Sequence, residues 1–269
     1  MQKTIFITGS TDGIGLETAK TLLLQGHRIL LHGRNPLKLN ETEKALSTLS
    51  SDGRVESYLA DLSNIVEVEG LAKAVAERHD KLDVLINNAG IYKTADPVTH
   101  DGLDVRFMVN TIAPYVLTQQ LLPLLGISGR VINLSSAAQS PVNIEALMGK
   151  VQLHEAFDTY AQSKLAITEW SRSLAFSIKD KGPIIIAVNP GSLLGTKMVK
   201  QGFNVAGNDI SIGVKILIRI ALADEFETAT GKYWDNDSGQ FASPHPDALN
   251  PEKCQETVEA IEVVLTQLK

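Results

Sequence analysis

Short apolar runs recur along the chain and alternate with longer segments of mixed polarity. The runs are nearly continuous and rich in β-branched residues, which is typical of strands that are covered on both faces of a sheet. They are TIFIT, RILLH, RVESYLA, LDVLIN, RVINLS and PIIIAVN. The pattern therefore predicts six strands buried inside the protein.

The segments between the runs have helical periodicity, for example from Leu16 to Gln25 and from Val66 to Arg78. A strand followed by a helix, repeated along the chain, predicts a parallel sheet with helices on both faces. A last helix is predicted from about Glu252 to Leu268, with Asn250-Pro251 at its start. Because the chain has no Pro/Ser-rich linker, repeat or low-complexity tract, we expect residues 1–269 to form a single α/β domain with a doubly wound parallel sheet of about seven strands.

Composition and charge narrow the classes of function. Hydrophobic residues make up 43% of the chain and charged residues 21%, which is ordinary for a globular protein. The net charge of −6, from 31 acidic and 25 basic residues, argues against a nucleic-acid partner. The N-terminal stretch MQKTIFITGS does not resemble a signal peptide, and no apolar run approaches the roughly 20 residues of a membrane span. We therefore expect a cytoplasmic protein without a membrane span.

The cysteine and histidine content argues against disulfides and metal sites. Cys254 is the single cysteine, which excludes an intrachain disulfide and fits a reducing compartment. It lies in a polar stretch, and we interpret it as structurally incidental. The six histidines show no i,i+4 pair and no cysteine partner at zinc spacing, so we expect no bound metal.

The loop after the first predicted strand, TGSTDGIG at residues 8–15, carries three glycines between a strand and a helix. Gly9 permits a tight turn, Gly13 lets the backbone approach a pyrophosphate, and Gly15 lets the helix pack close to the strand. A pyrophosphate would rest on the free N–H groups at the helix N-terminus. The loop therefore predicts a nucleotide-binding site.

The end of the second strand predicts which nicotinamide dinucleotide binds there. Sites that prefer NAD place an acid at this point to bind the ribose 2′-OH, but this chain has Gly33 followed by Arg34. A guanidinium accommodates a 2′-phosphate that an acid would repel, so we expect NADP(H) to be preferred, with NAD(H) still possible. Lys38 adds positive charge nearby, whereas Asp12 adds negative charge and argues the other way. The alternative is that Arg34 only caps a solvated loop.

The remaining strand ends bring further polar residues to the same edge of the sheet, where doubly wound folds bind ligands. Asp61 can accept a hydrogen bond from an adenine amino group or can cap the next helix. Residues 86–90 (INNAG) end in small side chains that let the chain pass close to a flat ring, and the fifth run delivers Ser135–Ser136. The sixth run leads into a sharp turn at Pro190, after which the backbone and Thr196 could hold a nicotinamide carboxamide.

In TYAQSKLAI, residues 159–167, Tyr160 and Lys164 lie one helical turn apart on the same face. The spacing alone is weak evidence, because an ordinary surface pair has it too. The glycine loop and the polar strand ends in register with it favour a catalytic acid–base residue and its electrostatic partner. Farther along the same helix, an apolar stripe is predicted to be either core or a subunit interface; its members are Ala166, Trp170, Leu174 and Ile178.

The motifs TGSTDGIG, NNAG, NLSS, YAQSK and NPGSLLGT resemble those of the short-chain dehydrogenase/reductase family in order and spacing, over nearly the whole chain. Within this family, the chain most resembles the branch of retinol dehydrogenases and WW-domain-containing oxidoreductases. The branch is indicated by THDGLDVRFMVNTIAPYVLTQQLLPLL, by the long stretch between Ser136 and Tyr160, and by the C-terminal TGKYWDNDSGQFASPHPDAL. One departure is VNTIAP, where relatives commonly have VNHLGH, although Asn110 itself is retained.

The resemblance implies a Rossmann-like fold and hydride transfer between a nicotinamide cofactor and an alcohol or carbonyl. Tyr160 would be the general acid or base, with its phenolate favoured by Lys164 together with the oxidised nicotinamide. Lys164 would also bind the nicotinamide ribose. Ser136 would bind the substrate oxygen, although Ser135 stays open as the alternative, and Asn110 would hold a water that links Lys164 to solvent. The cofactor-binding residues implied are Gly9, Ser10, Thr11, Gly13, Ile14, Gly15, Arg34, Asp61, Leu62, Asn88, Ala89, Gly90, Tyr160, Lys164, Pro190, Gly191, Leu193 and Thr196.

Two other classes of protein share parts of this pattern. A non-catalytic nucleotide sensor keeps the glycine loop but can lose the acid and its lysine, and both are present here. A sugar-nucleotide epimerase or dehydratase usually has a substantial C-terminal substrate domain, for which the chain beyond the sixth strand is short. Hydride transfer therefore remains the preferred interpretation.

The segments that follow the fifth and sixth strands, residues 137–158 and 192–207, are predicted to border the substrate pocket. Both are rich in apolar side chains and poor in arginine, so we expect an apolar, uncharged alcohol or carbonyl. Gly202 and Gly207 indicate that the second segment is a mobile lid. The alternative is that these side chains pack inward and only close the fold. We also expect a homo-oligomer, either a dimer or a tetramer.

Overall fold

The computed structural model describes residues 1–49 and 54–268. The strands within those residues are β1 (Thr4–Ile7), β2 (Arg28–Gly33), β3 (Arg54–Leu59), β4 (Val84–Asn87), β5 (Arg130–Leu134), β6 (Ile184–Asn189), β7 (Tyr233–Asp235) and β8 (Gln240–Ala242). They form one sheet in the order β3-β2-β1-β4-β5-β6-β7-β8. Neighbouring strands are parallel from β3 to β7, and β8 is antiparallel to β7.

The six apolar runs of the sequence are strands β1 to β6, so the predicted Rossmann-like, doubly wound α/β fold is confirmed. The described sheet has eight strands rather than about seven, because a short antiparallel strand follows β7. The strand order changes direction between β1 and β4, which places the crevice of a doubly wound sheet at the carboxyl ends of these two strands.

Helices surround the sheet on both sides. The α-helices are α1 (Gly13–Leu24), α2 (Pro36–Ser47), α3 (Ile65–Arg78), α4 (Val105–Phe107), α5 (Ala113–Leu125), α6 (Ile144–Leu147), α7 (Ala156–Ser177), α8 (Lys197–Phe203), α9 (Ser211–Leu222), α10 (Pro246–Leu249) and α11 (Pro251–Gln267). A π-helical turn, Met108–Ile112, joins α4 to α5, and a 3₁₀ turn, Asp224–Phe226, follows α9. In the part of the chain that the structure describes, no helix is both long and apolar enough to cross a membrane.

The predicted final helix is α11, and its start has the expected chemistry. The Asn250 side chain caps it by accepting hydrogen bonds from the backbone N–H groups of Glu252 and Lys253. Pro251 occupies the first helical turn, where its missing N–H costs no hydrogen bond.

Each face of the sheet has its own apolar core. One core contains Phe6 and Leu85 from the strands, packed with side chains from α3, α5 and α7. The other contains Ile5 and Ile86, packed with side chains from α1 and α9. Adjacent strand residues therefore point to opposite layers, which explains why the strands are apolar throughout instead of alternating.

The apolar stripe on α7 is core within this chain. Trp170 is fully buried and Leu174 is 7% exposed, and α11 packs along the same helix. The subunit-interface alternative for this stripe is therefore wrong, and the homo-oligomer remains a prediction. The interpretation of Cys254 as incidental is also wrong, because the cysteine is 4% exposed and packs on the inner face of α11. Burial raises the pKa of its thiol to about 11.

Candidate active site

The glycine loop lies between β1 and α1, at the crevice of the sheet. Gly9 and Gly13 have φ of 63° and 56°, in the left-handed region that side chains other than glycine rarely adopt. A Cβ at Gly15 would lie 2.5 Å from the carbonyl oxygen of Gly9 and would also collide with the Asn88 amide. The loop therefore needs glycine at all three positions, and it leaves its backbone open to a ligand at the N-terminus of α1.

The turn after β4 is tied to this loop. The Asn88 amide donates to the carbonyl oxygens of Thr8 and Gly9, at 2.8 and 3.1 Å. In return, the Thr8 hydroxyl accepts from the backbone N–H groups of Asn88 and Ala89, both at 3.0 Å. The Asn88, Ala89 and Gly90 predictions thus correspond to one rigid turn beside the glycine loop.

The end of β2 has no room for an acidic side chain without a rearrangement. A Cβ at Gly33 would lie 2.6 Å from the Thr11 methyl group. Arg34 is exposed, and within residues 1–49 and 54–268 it has neither a hydrogen bond nor an ion pair. The guanidinium is therefore available to a ligand at this edge.

Asp12 and Lys38 do not act as separate charges. Lys38 Nζ forms an ion pair with Asp12 Oδ2 at 2.5 Å, while Asp12 Oδ1 caps α1 by accepting from Gly13. The hydrogen bond to Lys38 lowers the pKa of Asp12. The lysine thus neutralises the carboxylate that argued against a 2′-phosphate, and Arg34 is left as the unpaired cation of this group.

Asp61 does not cap helix α3. Its Oδ1 accepts from the backbone N–H and the hydroxyl of Ser63, at 2.9 and 2.8 Å. The cap is Asn64, whose side chain accepts from Val66 N–H. The adenine-binding alternative for Asp61 stays a prediction. The neighbouring Leu62 points into the core, being 4% exposed, so only its backbone faces the crevice.

Tyr160 and Lys164 lie together on α7, as their spacing predicted. Lys164 is 4% exposed; its Nζ donates to the carbonyl oxygen of Leu134 at 2.7 Å and lies 5.7 Å from the centre of the Tyr160 ring. Burial lowers the pKa of Lys164 to about 8. Burial also raises the pKa of Tyr160, with Tyr92 adding to the rise and the Ser136 hydroxyl opposing it. In the protein alone the phenol is therefore protonated at neutral pH, and the expectation that Lys164 and an oxidised nicotinamide together favour the phenolate stays a prediction.

The structure separates the two serines at the end of β5. Ser135 is 3% exposed, and its hydroxyl binds the carbonyl oxygen of Lys164 at 2.9 Å and the Thr168 hydroxyl at 2.7 Å. The Ser136 hydroxyl lies close enough to Tyr160 to oppose the rise in its pKa, and it accepts from Ala138 N–H at 3.1 Å. Ser135 thus anchors α7 to the sheet, while Ser136 is the serine beside the phenol.

Asn110 lies in the π-helical turn Met108–Ile112. Its amide donates to the carbonyl oxygen of Ile91 and to the Ser163 hydroxyl, both at 2.9 Å, and its Oδ1 accepts from Ile91 N–H at 2.8 Å. Both amide hydrogens are therefore engaged and one lone pair of Oδ1 remains. Asn110 joins the turn after β4 to α7 beside Lys164.

The turn after β6 lies across the crevice from the glycine loop. Gly191 has φ of 125° and Leu193 has φ of 51°. Thr196 caps α8 by accepting from Val199 N–H at 3.3 Å, and its methyl group would lie 3.6 Å from a Cβ at Gly13. Thr196 therefore lies beside the glycine loop, and cofactor binding by Pro190, Gly191, Leu193 and Thr196 stays a prediction.

Aromatic side chains cover Tyr160. Tyr92 is 7% exposed and contacts Tyr160 edge to face, with ring centres 5.3 Å apart. Phe203 of α8 stacks on Tyr92 at 5.2 Å and 16°, and Phe157 completes the cluster. Motif matching missed Tyr92, although it is the second residue after INNAG and could have been found as the aromatic residue nearest that turn.

The two predicted substrate segments behave differently. In residues 137–158, Leu147 is fully buried and Ile144 and Met148 pack on the core, so much of this segment closes the fold, as the alternative held. In residues 192–207, α8 has no buried residue, and Leu193 and Phe203 are exposed by 45% and 41%. Residues 192–207 thus expose more apolar surface to solvent than the core-packed part of residues 137–158.

The carbonyl oxygen of Ser136 accepts two hydrogen bonds that motif matching missed. The Tyr233 hydroxyl of β7 and the Gln139 amide both donate to this oxygen, at 3.0 Å. Gln139 is itself fixed by His245 N–H, which donates to its Oε1 at 2.9 Å. The C-terminal part of the chain therefore fixes the backbone of the serine beside Tyr160.

Comparison with known proteins defines the class. The sequence pattern of the short chain dehydrogenase family matches residues 3–207, and the chain therefore belongs to this family of oxidoreductases. Retinol dehydrogenase 12 of Mus musculus is 32% identical over 249 residues, which cover 87% of this chain and 78% of the relative. Retinol dehydrogenase 13 of Mus musculus is 27% identical over 260 residues, covering 90% and 78%.

Solved structures agree with this placement. An uncharacterized protein from Mycobacterium paratuberculosis has a TM-score of 0.81 at 25% identity, covering 98% of this chain and 93% of that chain. A structure described as a short chain dehydrogenase from Escherichia coli CFT073, complexed with NADPH, has a TM-score of 0.70 at 25% identity, covering 87% and 96%. Within the family, the chain belongs to the retinol dehydrogenase branch that its sequence motifs indicated.

Proposed function

We propose that the chain is an NADP(H)-preferring enzyme that transfers hydride between the cofactor and an apolar alcohol or carbonyl. The observation that carries the proposal is the meeting of Tyr160, Lys164 and Ser136 beside the glycine loop. A phenol, a hydroxyl and an ammonium group converge there at the crevice of a doubly wound sheet. This is what proton transfer to or from a substrate oxygen requires.

The bound nicotinamide cofactor would supply or accept the hydride. In reduction, the Ser136 hydroxyl donates to the substrate oxygen and stabilises the charge that develops on it. The Tyr160 hydroxyl then donates its proton to that oxygen. Lys164 has two hydrogens left after its bond to Leu134, which suit the ribose hydroxyls. The free lone pair of Asn110 Oδ1 is the acceptor for a water that returns the proton from solvent.

The cofactor preference follows from shape and charge at the end of β2. The glycine loop offers a cradle that a Cβ at Gly15 would fill, which fits a pyrophosphate. At the adenosine end, the Thr11 methyl group takes the space that an acid at position 33 would need. Arg34 then provides a guanidinium without a competing partner in the described residues, which supports a 2′-phosphate.

The substrate class follows from the walls around Tyr160. Tyr92, Phe157 and Phe203 form an aromatic cluster, and Tyr92 contacts Tyr160. Because these side chains offer area but no charge, they favour an uncharged substrate with an apolar body. Phe203 belongs to α8, so substrate entry requires this helix to move away from Tyr92, which is the lid role expected of the segment.

The test is an assay of NADPH oxidation with a panel of carbonyl compounds, followed by the nicotinamide absorbance. We expect turnover of aliphatic and aromatic carbonyls. Much faster turnover of charged sugars or phosphates would contradict the substrate class. Binding of NADPH without turnover of any carbonyl would favour the nucleotide sensor.

Tyr160→Phe tests the catalytic role directly. The variant should fold and bind NADPH but lose about 10²- to 10⁴-fold in kcat, the range expected when a general acid is removed. Tyr58→Phe is the matched control, since this tyrosine lies on β3 and its hydroxyl is hydrogen-bonded to His79, the C-cap residue of α3. Full activity in Tyr160→Phe would refute the assignment, provided that the control also keeps full activity.

A further inference from the structure

We propose that His32 is a positioning residue of the cofactor site, because its imidazole holds the glycine loop in the conformation that receives the dinucleotide. The proposal rests on the proposed function, since it concerns the loop that would bind the cofactor. His32 is the next-to-last residue of β2 and is 3% exposed. It belongs to none of the sequence motifs.

Both ring nitrogens of His32 have a backbone partner. The Gly9 N–H donates to Nδ1 at 3.0 Å, and Nε2 lies 3.1 Å from the carbonyl oxygen of Ala60. A carbonyl oxygen can only accept, so Nε2 carries the proton and Nδ1 accepts. The ring therefore bridges the first glycine of the loop to the end of β3.

The neutral form of the ring is the one that this geometry requires. Burial lowers the pKa of His32 to about 4, while the Ala60 carbonyl and the charge of Asp61 act in the opposite direction. At neutral pH the imidazole is therefore uncharged, with Nδ1 available to Gly9.

The backbone of His32 grips the next residue of the loop. The His32 N–H donates to the Ser10 hydroxyl, and its carbonyl oxygen accepts from Ser10 N–H, both at 2.9 Å. Ring and backbone together hold two successive loop residues against the end of β2. An apolar side chain at position 32 would remove the side-chain acceptor of Gly9 N–H, which lies in a partly buried place.

The expected consequence concerns affinity for the cofactor. If the loop adopts its binding conformation for only a fraction of the time, the apparent Kd for the cofactor equals the intrinsic Kd divided by that fraction. Loss of one buried hydrogen bond corresponds to a roughly tenfold lower population of the bonded conformation. Tyr160 and Lys164 are untouched, so turnover at saturating cofactor should persist.

Three substitutions separate the two bonds of the ring. His32→Leu removes both bonds. In His32→Asn, Oδ1 can stand in for Nδ1 and accept from Gly9, whereas in His32→Gln the amide can stand in for Nε2 and donate to Ala60. NADPH fluorescence titration should give a Kd about tenfold higher for the Leu and Gln variants, but within about threefold of the parent for Asn. At saturating NADPH, kcat should stay within about twofold of the parent for all three.

His27→Leu is the matched control. His27 precedes β2 and is 8% exposed, and its Nδ1 accepts from Lys3 N–H at 3.2 Å, at the opposite end of the same strands. It should lose thermal stability without a change in the Kd of NADPH. If His32→Leu does not fold, the Kd values of NADPH for His32→Asn and His32→Gln still test the proposal.

An unchanged Kd in His32→Leu, an equal rise in His27→Leu, or better binding by the Gln than by the Asn variant would overturn the proposal. If the unsubstituted protein binds neither NADPH nor NADH, the proposed function itself fails and this inference fails with it. If it binds NADPH and the His32 variants bind equally well, only the inference fails.

Discussion

Glu169→Gln should stabilise the protein at alkaline pH. Glu169 lies on α7 and is 1% exposed, and its Oε2 accepts from the Thr257 hydroxyl of α11 at 2.5 Å. Burial raises the pKa of its carboxyl to about 7, with Asp247 and Glu256 adding to the rise, while Thr257 and Lys253 oppose it. The carboxyl is thus held where its ionised form is poorly solvated, at a contact that joins α7 to α11.

The size of the expected stabilisation follows from the pKa values of Glu169 in the unfolded and folded states. The ordinary value is 4.5 and the folded value is about 7, a difference of about 2.5, which at 1.36 kcal/mol per pKa unit is about 3 kcal/mol. Between these values the folded state binds a proton that the unfolded state has released, so stability falls as pH rises through the window. Glutamine keeps an oxygen for Thr257 and cannot ionise. Its gain over glutamate should be about 1 kcal/mol at pH 5.5 and about 3 kcal/mol at pH 8.5.

Urea unfolding of both proteins at pH 5.5 and 8.5 measures this gain. Thermal unfolding should agree, with Tm higher by about 6 °C or more at pH 8.5. Glu259→Gln is the control, because Glu259 is an exposed residue of α11 that is hydrogen-bonded to Gln255, and it should show little change. A gain that is absent, or equal at both pH values, would refute the argument that burial keeps Glu169 protonated.

Three further predictions concern the site. Arg34→Ala should raise the Kd of NADPH about tenfold and leave that of NADH within about twofold, by fluorescence titration; equal losses would mean that Arg34 is only solvated. Tyr233→Phe should lower kcat about tenfold without changing the KM for NADPH, since it releases the carbonyl of Ser136; an unchanged kcat would show that Gln139 holds this carbonyl alone. The rate of carbonyl reduction should fall as pH rises through about 8, because burial lowers the pKa of Lys164 to about 8 and the cation is lost above it; a flat profile to pH 10 would contradict this.

The parts of the fold that could be predicted from the sequence are those whose pattern is formed by residues adjacent in the chain. Strands β1 to β6 are long enough to show a run, and the glycine loop carries its backbone requirement in the glycines themselves. Tyr160 and Lys164 needed only the helical period to be paired. Strands β7 and β8 have three residues each, which is too short for any periodic signal.

The contacts that escaped prediction join residues far apart in the chain. Tyr233 reaches Ser136 across 97 positions, and the bond from Thr257 to Glu169 crosses 88. Neither has a local pattern, because the partner is chosen by how the sheet and α11 close on each other. The prediction that Asp61 could cap α3 failed for a different reason. Aspartate and asparagine are both good N-cap residues, and only the position at which the helix starts decides between Asp61 and Asn64.

Burial shifts the pKa values of Tyr160 and Lys164 in opposite directions, and both shifts favour the neutral side chain. It raises the pKa of the phenol and lowers that of the ammonium group, so each charged form is disfavoured in the same desolvated place. Under the proposed function, a protonated Tyr160 is ready to give its proton to the oxygen of a reduced carbonyl, which needs no prior ionisation. Alcohol oxidation needs the phenolate, which requires added positive charge in the site or a higher pH. The protein's own residues therefore favour carbonyl reduction at neutral pH, and the opposite direction should gain relative to it as pH rises.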